Sequence, residues 1–200
     1  WNIKTEELIH EFTGCSHTIY AVDISNDNTL IMAGGNDKVI RLWDMETGDF
    51  VDTIYGNDYQ LYSASFDRTG KYIVTTGKYS LRMWSTSKGR RIREFTGFTN
   101  SVCALYVNPY TYEVLIGCWE FGARKISIKK AQITKSYRYC MSATYAVYMS
   151  HSGERIVAGG RCVLTNLLDA KSGKQLRWFE HSETVNARGQ GREMGWMSVE

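Results

Sequence analysis

An all-β fold of four-stranded sheets stacked as radial blades is predicted by three observations. The 200-residue chain repeats a landmark every 41 or 42 residues. A second landmark, the end of an apolar segment, precedes the first by about 19 residues in each repeat. Between them the segments are short, rich in β-branched and aromatic residues, and bounded by turn residues. Composition agrees: 43 % hydrophobic and 22 % charged residues exclude a disordered chain. No run approaches the roughly 18 apolar residues of a membrane-spanning helix. Pro109 is the single proline, so there is no proline-rich linker.

The period is read from Arg41-Leu-Trp43-Asp44, which recurs as Arg82-Met-Trp84-Ser85 and, weakened, as Arg124-Lys-Ile126-Ser127 and Asn166-Leu-Leu168-Asp169. Counting from Trp1, the landmarks stand at 1, 43, 84, 126 and 168. The second landmark is Ala21-Val-Asp-Ile-Ser25, Ser63-Ala-Ser-Phe-Asp67, Ala104-Leu-Tyr-Val-Asn108 and Ala146-Val-Tyr-Met-Ser150. Turn chemistry follows each: Asn26-Asp-Asn28, Arg68-Thr-Gly70, Pro109-Tyr-Thr111 and His151-Ser-Gly153. A further turn follows the Trp-like position, as in Glu46-Thr-Gly48, Ser87-Lys-Gly89 and Lys171-Ser-Gly173.

In the first full repeat, alternation places strands at about 18–25, 30–35, 38–44 and 50–55. Four strands in about 42 residues make one antiparallel sheet, and such a sheet cannot bury both faces alone. It must stack on copies of itself. Residues 1–187 then hold about four complete blades with partial blades at both ends, in an open or incomplete ring.

On these residues the chain resembles the WD40-repeat β-propeller family, and the resemblance covers about residues 1–187. Asp37-Lys-Val-Ile-Arg-Leu-Trp43-Asp44 is similar to the family's Asp-x-x-Ile-x-Leu-Trp-Asp ending. The family's Gly-His pair is replaced by Gly14-Cys15, Gly56-Asn57, Gly97-Phe98 and Tyr139-Cys140, and is kept only in the His at 181. The resemblance implies a buried network of His, turn Asp and Trp. Asp37 and Trp43 fit it, but Lys78, Glu120 and Cys162 stand at the Asp position of later repeats. The network therefore does not carry over, and Cys15, Phe98, Cys140 and Cys162 are expected to pack as apolar fillers. Family members usually close with seven blades, so the chain is similar to a piece of a longer protein. Residues 188–200 lose alternation and add glycines, which predicts an irregular tail with Trp196 and Met197 outside the sheet.

Charge and cysteine usage narrow the function classes. Residues 1–67 hold 12 acidic and 3 basic residues, and residues 68–200 hold 9 acidic and 21 basic. Drift in the sign of solvated faces is the reading preferred for this split, over a dipolar particle. Five cysteines with no Cys-x-x-Cys pair exclude a disulfide framework or structural zinc site, and reduced thiols in cytoplasm or nucleus are expected. No phosphate loop, dinucleotide fingerprint, nucleophile elbow or zincin pair is present. His10, His17, His151 and His181 do not pair at ligand spacing, and Asp37 reads as a turn residue rather than an acid or base. No enzyme, cofactor or metal is expected.

Function is left to the loops. The turns between second and third strands and the links between blades gather on one face. There Tyr59, Tyr79, Phe98 and Phe121 are expected as protein-binding anchors, with Asp58, Lys78, Glu120 and Arg161 in the polar surround. The mixed chemistry suits a protein or peptide partner within a multi-subunit assembly, hence a non-catalytic interaction scaffold. The alternative is RNA or an anionic lipid such as a phosphoinositide. It would bind basic outer blade edges at Lys88, Arg90, Arg91, Arg93, Lys129, Lys130, Lys135 and Arg138. Trp43 and Trp84 are expected in the core, and Trp119 and Trp178 in packing between blades.

Overall fold

The computed structural model describes residues 1–120, 122–139, 142–161 and 164–180. They form four antiparallel four-stranded sheets in strict chain order. The first holds β1 (Ile19–Ile24), β2 (Leu30–Gly35), β3 (Ile40–Asp44) and β4 (Phe50–Ile54). The second holds β5 (Leu61–Phe66), β6 (Tyr72–Gly77), β7 (Ser80–Ser85) and β8 (Arg91–Phe95). The third holds β9 (Val102–Val107), β10 (Glu113–Cys118), β11 (Gly122–Ser127) and β12 (Gln132–Tyr137). The fourth holds β13 (Thr144–Met149), β14 (Arg155–Gly160), β15 (Leu164–Asp169) and β16 (Gln175–Glu180). The first-repeat strands thus fall within a residue or two of the expected ones. The strand start expected at 181–187 and the tail expected at 188–200 lie outside the described residues.

The sheets are copies down to their irregularities. Each first strand carries one extra residue against the second strand, at Tyr20, Tyr62, Cys103 and Tyr145. Each fourth strand carries one against the third, at Val51, Ile92, Thr134 and Leu176. Such bulges sharpen the local twist. Their return at one repeat position bends every blade alike, and so lets the blades nest. The first strands β1, β5, β9 and β13 lie side by side along the inner edge of the arc. Gly35 and Gly160, at the ends of β2 and β14, lie under the carbonyls of Thr18 and Ala143 in the incoming links, where a Cβ has no room.

Three apolar cores fill the three spaces between blades. Met32, Ile40, Leu42 and Ile54 of the first blade meet Ala64, Phe66, Ile73 and Trp84 of the second. Val74, Leu81, Met83 and Phe95 meet Val102, Val114, Ile116 and Ile126 of the third. Leu115, Ala123 and Tyr137 meet Met149, Ile156, Ala158 and Leu168 of the fourth. Alternation puts neighbouring side chains of one strand into different cores, so Ile73 and Val74 serve opposite faces. Trp84 is 1 % exposed, and its Nε1 donates to Thr75 Oγ1 at 2.9 Å.

The two ends of the arc depart from expectation. Residues 1–18 carry no strand, although the tail of a preceding blade is expected there. The segment instead lies on the first blade. Phe12 stacks 5.7 Å from the buried Trp43, and His10 Nε2 donates to the Glu46 carbonyl at 3.0 Å. Among the described residues no sheet precedes β1 for it to pair with, so the packing role survives without the ladder. At the other end every residue of β16 is exposed, Trp178 to 54 % and Phe179 to 46 %. The expectation that Trp178 and Trp119 pack between blades is therefore corrected. Trp178 lies on the last described strand, and Trp119 sits in a turn beyond the third core. The charge split also becomes spatial: the acidic residues collect in the first blade and the basic ones in blades two to four. The preferred reading of solvated drift gives way to a dipolar arc.

Because Trp84 fills the first inter-blade core while Trp178 is solvated, their truncations should separate. Trp84→Ala should cost about 3–5 kcal/mol, and Trp178→Ala about 0.5 kcal/mol or less. Urea unfolding followed by circular dichroism checks both.

Candidate functional site

Four of the residues expected on the loop face come together at the junction of blades one and two. The link before β5 carries Asp58 and Tyr59, and the turn between β6 and β7 carries Lys78 and Tyr79. The Tyr59 and Tyr79 rings meet edge to face, 6.3 Å between centroids at 89°. Lys78 Nζ lies 5.5 Å from the Tyr59 ring and 5.1 Å from the Tyr79 ring. A cation so placed is held by both ring quadrupoles. The tyrosines remain 45 % and 41 % exposed, so the cluster is assembled yet open to solvent.

Local chain geometry explains the cluster. Gly77 pairs with Ser80, leaving Lys78 and Tyr79 as a two-residue turn. So tight a turn drives Tyr79 to φ +63°, which costs a non-glycine residue about 1–2 kcal/mol. Glycine or asparagine would relieve that strain. The turn is also tied to the third blade by an antiparallel bridge between Lys78 and Ser101.

Beneath it lies a residue that the sequence reading passed over. Arg82 is buried in the middle of β7, and its guanidinium meets two carboxylates. Nε donates to Glu94 Oε1 at 2.9 Å, and NH2 donates to Asp58. A buried cation needs such pairing to offset its desolvation. The pair with Asp58 pins the link one residue before Tyr59. The same repeat position holds Arg41, paired with Asp37 of its turn, and Arg124, whose guanidinium lies 5.7 Å over the Phe98 ring. Asp37 is thus a turn residue, as its sequence context predicts. The recurrence of Arg at 41, 82 and 124 was the available signal. Its partners were not visible, because Asp58 lies 24 residues away along the chain.

The other expected anchors behave differently. Phe98 is 7 % exposed and belongs to the core between blades two and three, where it replaces the family's His as an apolar filler. As an exposed anchor it is a miss, because its link turns inward over Arg124. Glu120 accepts a hydrogen bond from Thr99 at the head of the third blade, beside the exposed Trp119. Arg161 is exposed on the fourth blade, its N–H bonded to the Ala143 carbonyl. Cys15 is half-buried beside Arg41. Phe121, Cys140, Cys162 and His181 lie outside the described residues.

The basic edge residues divide in two. Arg93 donates to the Ile128 carbonyl at 2.6 Å and Lys135 to the Lys171 carbonyl at 2.6 Å. Each fastens an outer strand to the next blade, at the repeat position where His10 holds Glu46. Arg91 pairs with Glu94. Lys88, Arg90, Lys129, Lys130 and Arg138 are exposed. Among the described residues no group of three or more His, Cys, Asp or Glu is placed to hold a metal ion, and no helix is long and apolar enough to cross a membrane. Burial pushes the Cys103 thiol up to about 12 and the Cys118 thiol up to about 11.

With the blades and their repeat positions in place, comparison with known families matches residues 6–44 to the family described as WD domain, G-beta repeat. The chain belongs to the WD40-repeat family. Its relatives include autophagy-related protein 16 of Arabidopsis thaliana, 24 % identical over 87 % of this chain and 34 % of that protein. Nuclear distribution protein nudF of Aspergillus niger is 32 % identical over 54 % of this chain and 25 % of its own length. The U5 small nuclear ribonucleoprotein 40 kDa protein of Dictyostelium discoideum is 27 % identical over 78 % of this chain and 45 % of its own. The chain spans less than half the length of each. The WD40 match ends at Asp44, where the first blade carries its Arg41–Asp37 pair.

Two outcomes follow. Asp58→Ala should lower stability by about 1 kcal/mol or less, since Asp58 is exposed and Arg82 keeps Glu94. Amide exchange at Tyr59 should nonetheless quicken in hydrogen–deuterium exchange, because the link loses its anchor. At pH 8 the Cys118 thiol should alkylate about a hundredfold more slowly than a thiol of ordinary pKa, and Cys103 about a thousandfold, from the thiolate fraction alone. Mass-resolved iodoacetamide labelling of the native chain measures both.

Proposed function

We propose that this chain is a non-catalytic WD40 scaffold within a multi-subunit assembly, and that it binds a protein or peptide through the face carrying Tyr59, Lys78 and Tyr79. The observation that carries this reading is the strained turn at Tyr79. The chain accepts an unfavourable backbone to hold an exposed tyrosine against a second tyrosine and a lysine. Aromatic side chains of this kind, pre-ordered and ringed by polar groups, are the usual anchors of protein interfaces. Asp58 and Arg82 supply the pre-ordering from below.

Glu120, Arg161 and the exposed Trp119 extend the surface along the arc, and their mixed charge suits a protein partner better than a polyanion. Relatives named for autophagy, nuclear distribution and a small nuclear ribonucleoprotein support a role in assemblies rather than in turnover of a small substrate. The free thiols of Cys15, Cys103 and Cys118 support a reducing compartment, the cytoplasm or the nucleus.

The test is partner capture from native extract with quantitative mass spectrometry. Tyr59→Ala combined with Tyr79→Ala should remove the partners retained by the parent chain, by about tenfold or more for two central anchors. Arg90→Glu with Arg91→Glu should leave them. The reverse pattern would transfer the function to the basic edge.

A further inference from the structure

On the opposite face, where the first and third hairpin turns of each blade lie, neighbouring blades are laced together at one repeat position. Asn26 Nδ2 donates to the Arg68 carbonyl at 3.0 Å, and Arg68 NH1 donates to the Tyr110 carbonyl at 3.1 Å. Tyr110 Oη and His151 Nδ1 share a hydrogen bond of 2.8 Å. One step inward a second position repeats the pattern. Asp23 accepts from Ser65 Oγ at 2.7 Å and from the Phe66 N–H at 2.8 Å, and the Tyr106 and Tyr148 rings meet 4.8 Å apart.

Between these two rows lies a hollow of about 180 Å³. Its walls are largely apolar: Ile24, Phe66, Val107, Pro109 and the rings of Tyr106 and Tyr148. The Asp23 carboxylate is already committed to its two donors, whereas Arg68 is exposed at the rim. Around the rim, in the turns of blades two and three, stand the exposed cations Lys71, Lys88, Arg90, Lys129 and Lys130. Acids on the turns of blades two to four are largely engaged. Asp67 binds Thr69 and the Tyr72 N–H, and Asp169 binds Arg155 and Ser172.

We infer that this face is a second binding surface, which takes a peptide segment with one large apolar side chain flanked by Asp or Glu. The apolar side chain enters the hollow, and the flanking carboxylates meet Arg68 and Lys71. Charge placement selects a short acidic peptide over a polyanion. The first-blade sector of the same face presents Asp27, Glu46 and Asp49, which would repel a nucleic acid or an anionic membrane laid across the turns. A segment confined to blades two to four avoids them. The chain would then hold two partners at once, one on each face.

Fluorescence anisotropy on the whole chain tests this with a labelled peptide of one leucine between two runs of four glutamates, at physiological ionic strength. Its counterparts are the same peptide with serine in place of leucine, and a decameric oligouridylate. The leucine peptide should bind about tenfold or more tighter than the serine peptide, from burial of one apolar side chain. Tyr148→Ala should erase that difference, and Lys71→Glu should weaken both peptides. Lys71 is exposed, so its reversal tests charge without disturbing the lacing. Tyr59→Ala with Tyr79→Ala should leave the peptide affinity unchanged, which separates this surface from the first. Equal binding of the two peptides, tighter binding of the oligouridylate, or an unchanged affinity in Lys71→Glu would overturn the inference.

Discussion

The structure depends on one constraint: a twisted four-stranded sheet whose two faces are both apolar can be buried only by similar sheets. No helix or outer layer relieves this requirement among the described residues. Each blade therefore contributes to two cores, and the residues of one strand are divided between them. Ile73 and Val74 are adjacent in sequence and belong to different cores. Stability is in consequence a property of blade pairs, in the manner of other repeat arrays. The same constraint governs the ends. Phe12 lies over Trp43 without pairing in a sheet, while Trp178 and Phe179 remain in solvent.

Within that scheme the chain has rewritten a polar network. In place of a buried His and a turn Asp in every blade, it uses an arginine ahead of the Trp position and a different partner each time. Arg41 finds Asp37, Arg82 finds Asp58 and Glu94, and Arg124 finds an aromatic face. A guanidinium can satisfy several acceptors and stack on a ring, so one residue type serves three surroundings. In the second blade the device reaches outward, because Asp58 belongs to the link that carries Tyr59. Packing below and an exposed surface above are thereby mechanically joined.

The even number of strands per blade sorts the loops. First and third hairpin turns emerge on one face, and second turns with the links emerge on the other. The two faces have acquired different chemistry. One holds a tyrosine pair with a central lysine and mixed charges. The other holds a shallow tyrosine-walled hollow among exposed cations. A scaffold with two unlike faces presents separate partners on opposite sides of one rigid arc.

Periodicity, strand placement and turns were legible because they are local. Alternation over six residues and a Gly or Asn at a turn act within a few ångströms, and the 42-residue spacing carries them from blade to blade. Tyr59, Lys78 and Tyr79 were legible as loop residues for the same reason, and their assembly into one cluster followed from a two-residue turn facing a link. Phe98 occupies a corresponding link and was misjudged, since only the fold over Arg124 turns it inward. Arg82 and the hollow beside Tyr106 and Tyr148 went unread. Their partners lie 24 or about 42 residues apart and meet only across a blade boundary. Local sequence thus set which segments became strands and turns. Which side chains face solvent, a core or each other was decided by the stacking of blades, because burial is a contact between residues distant in the chain.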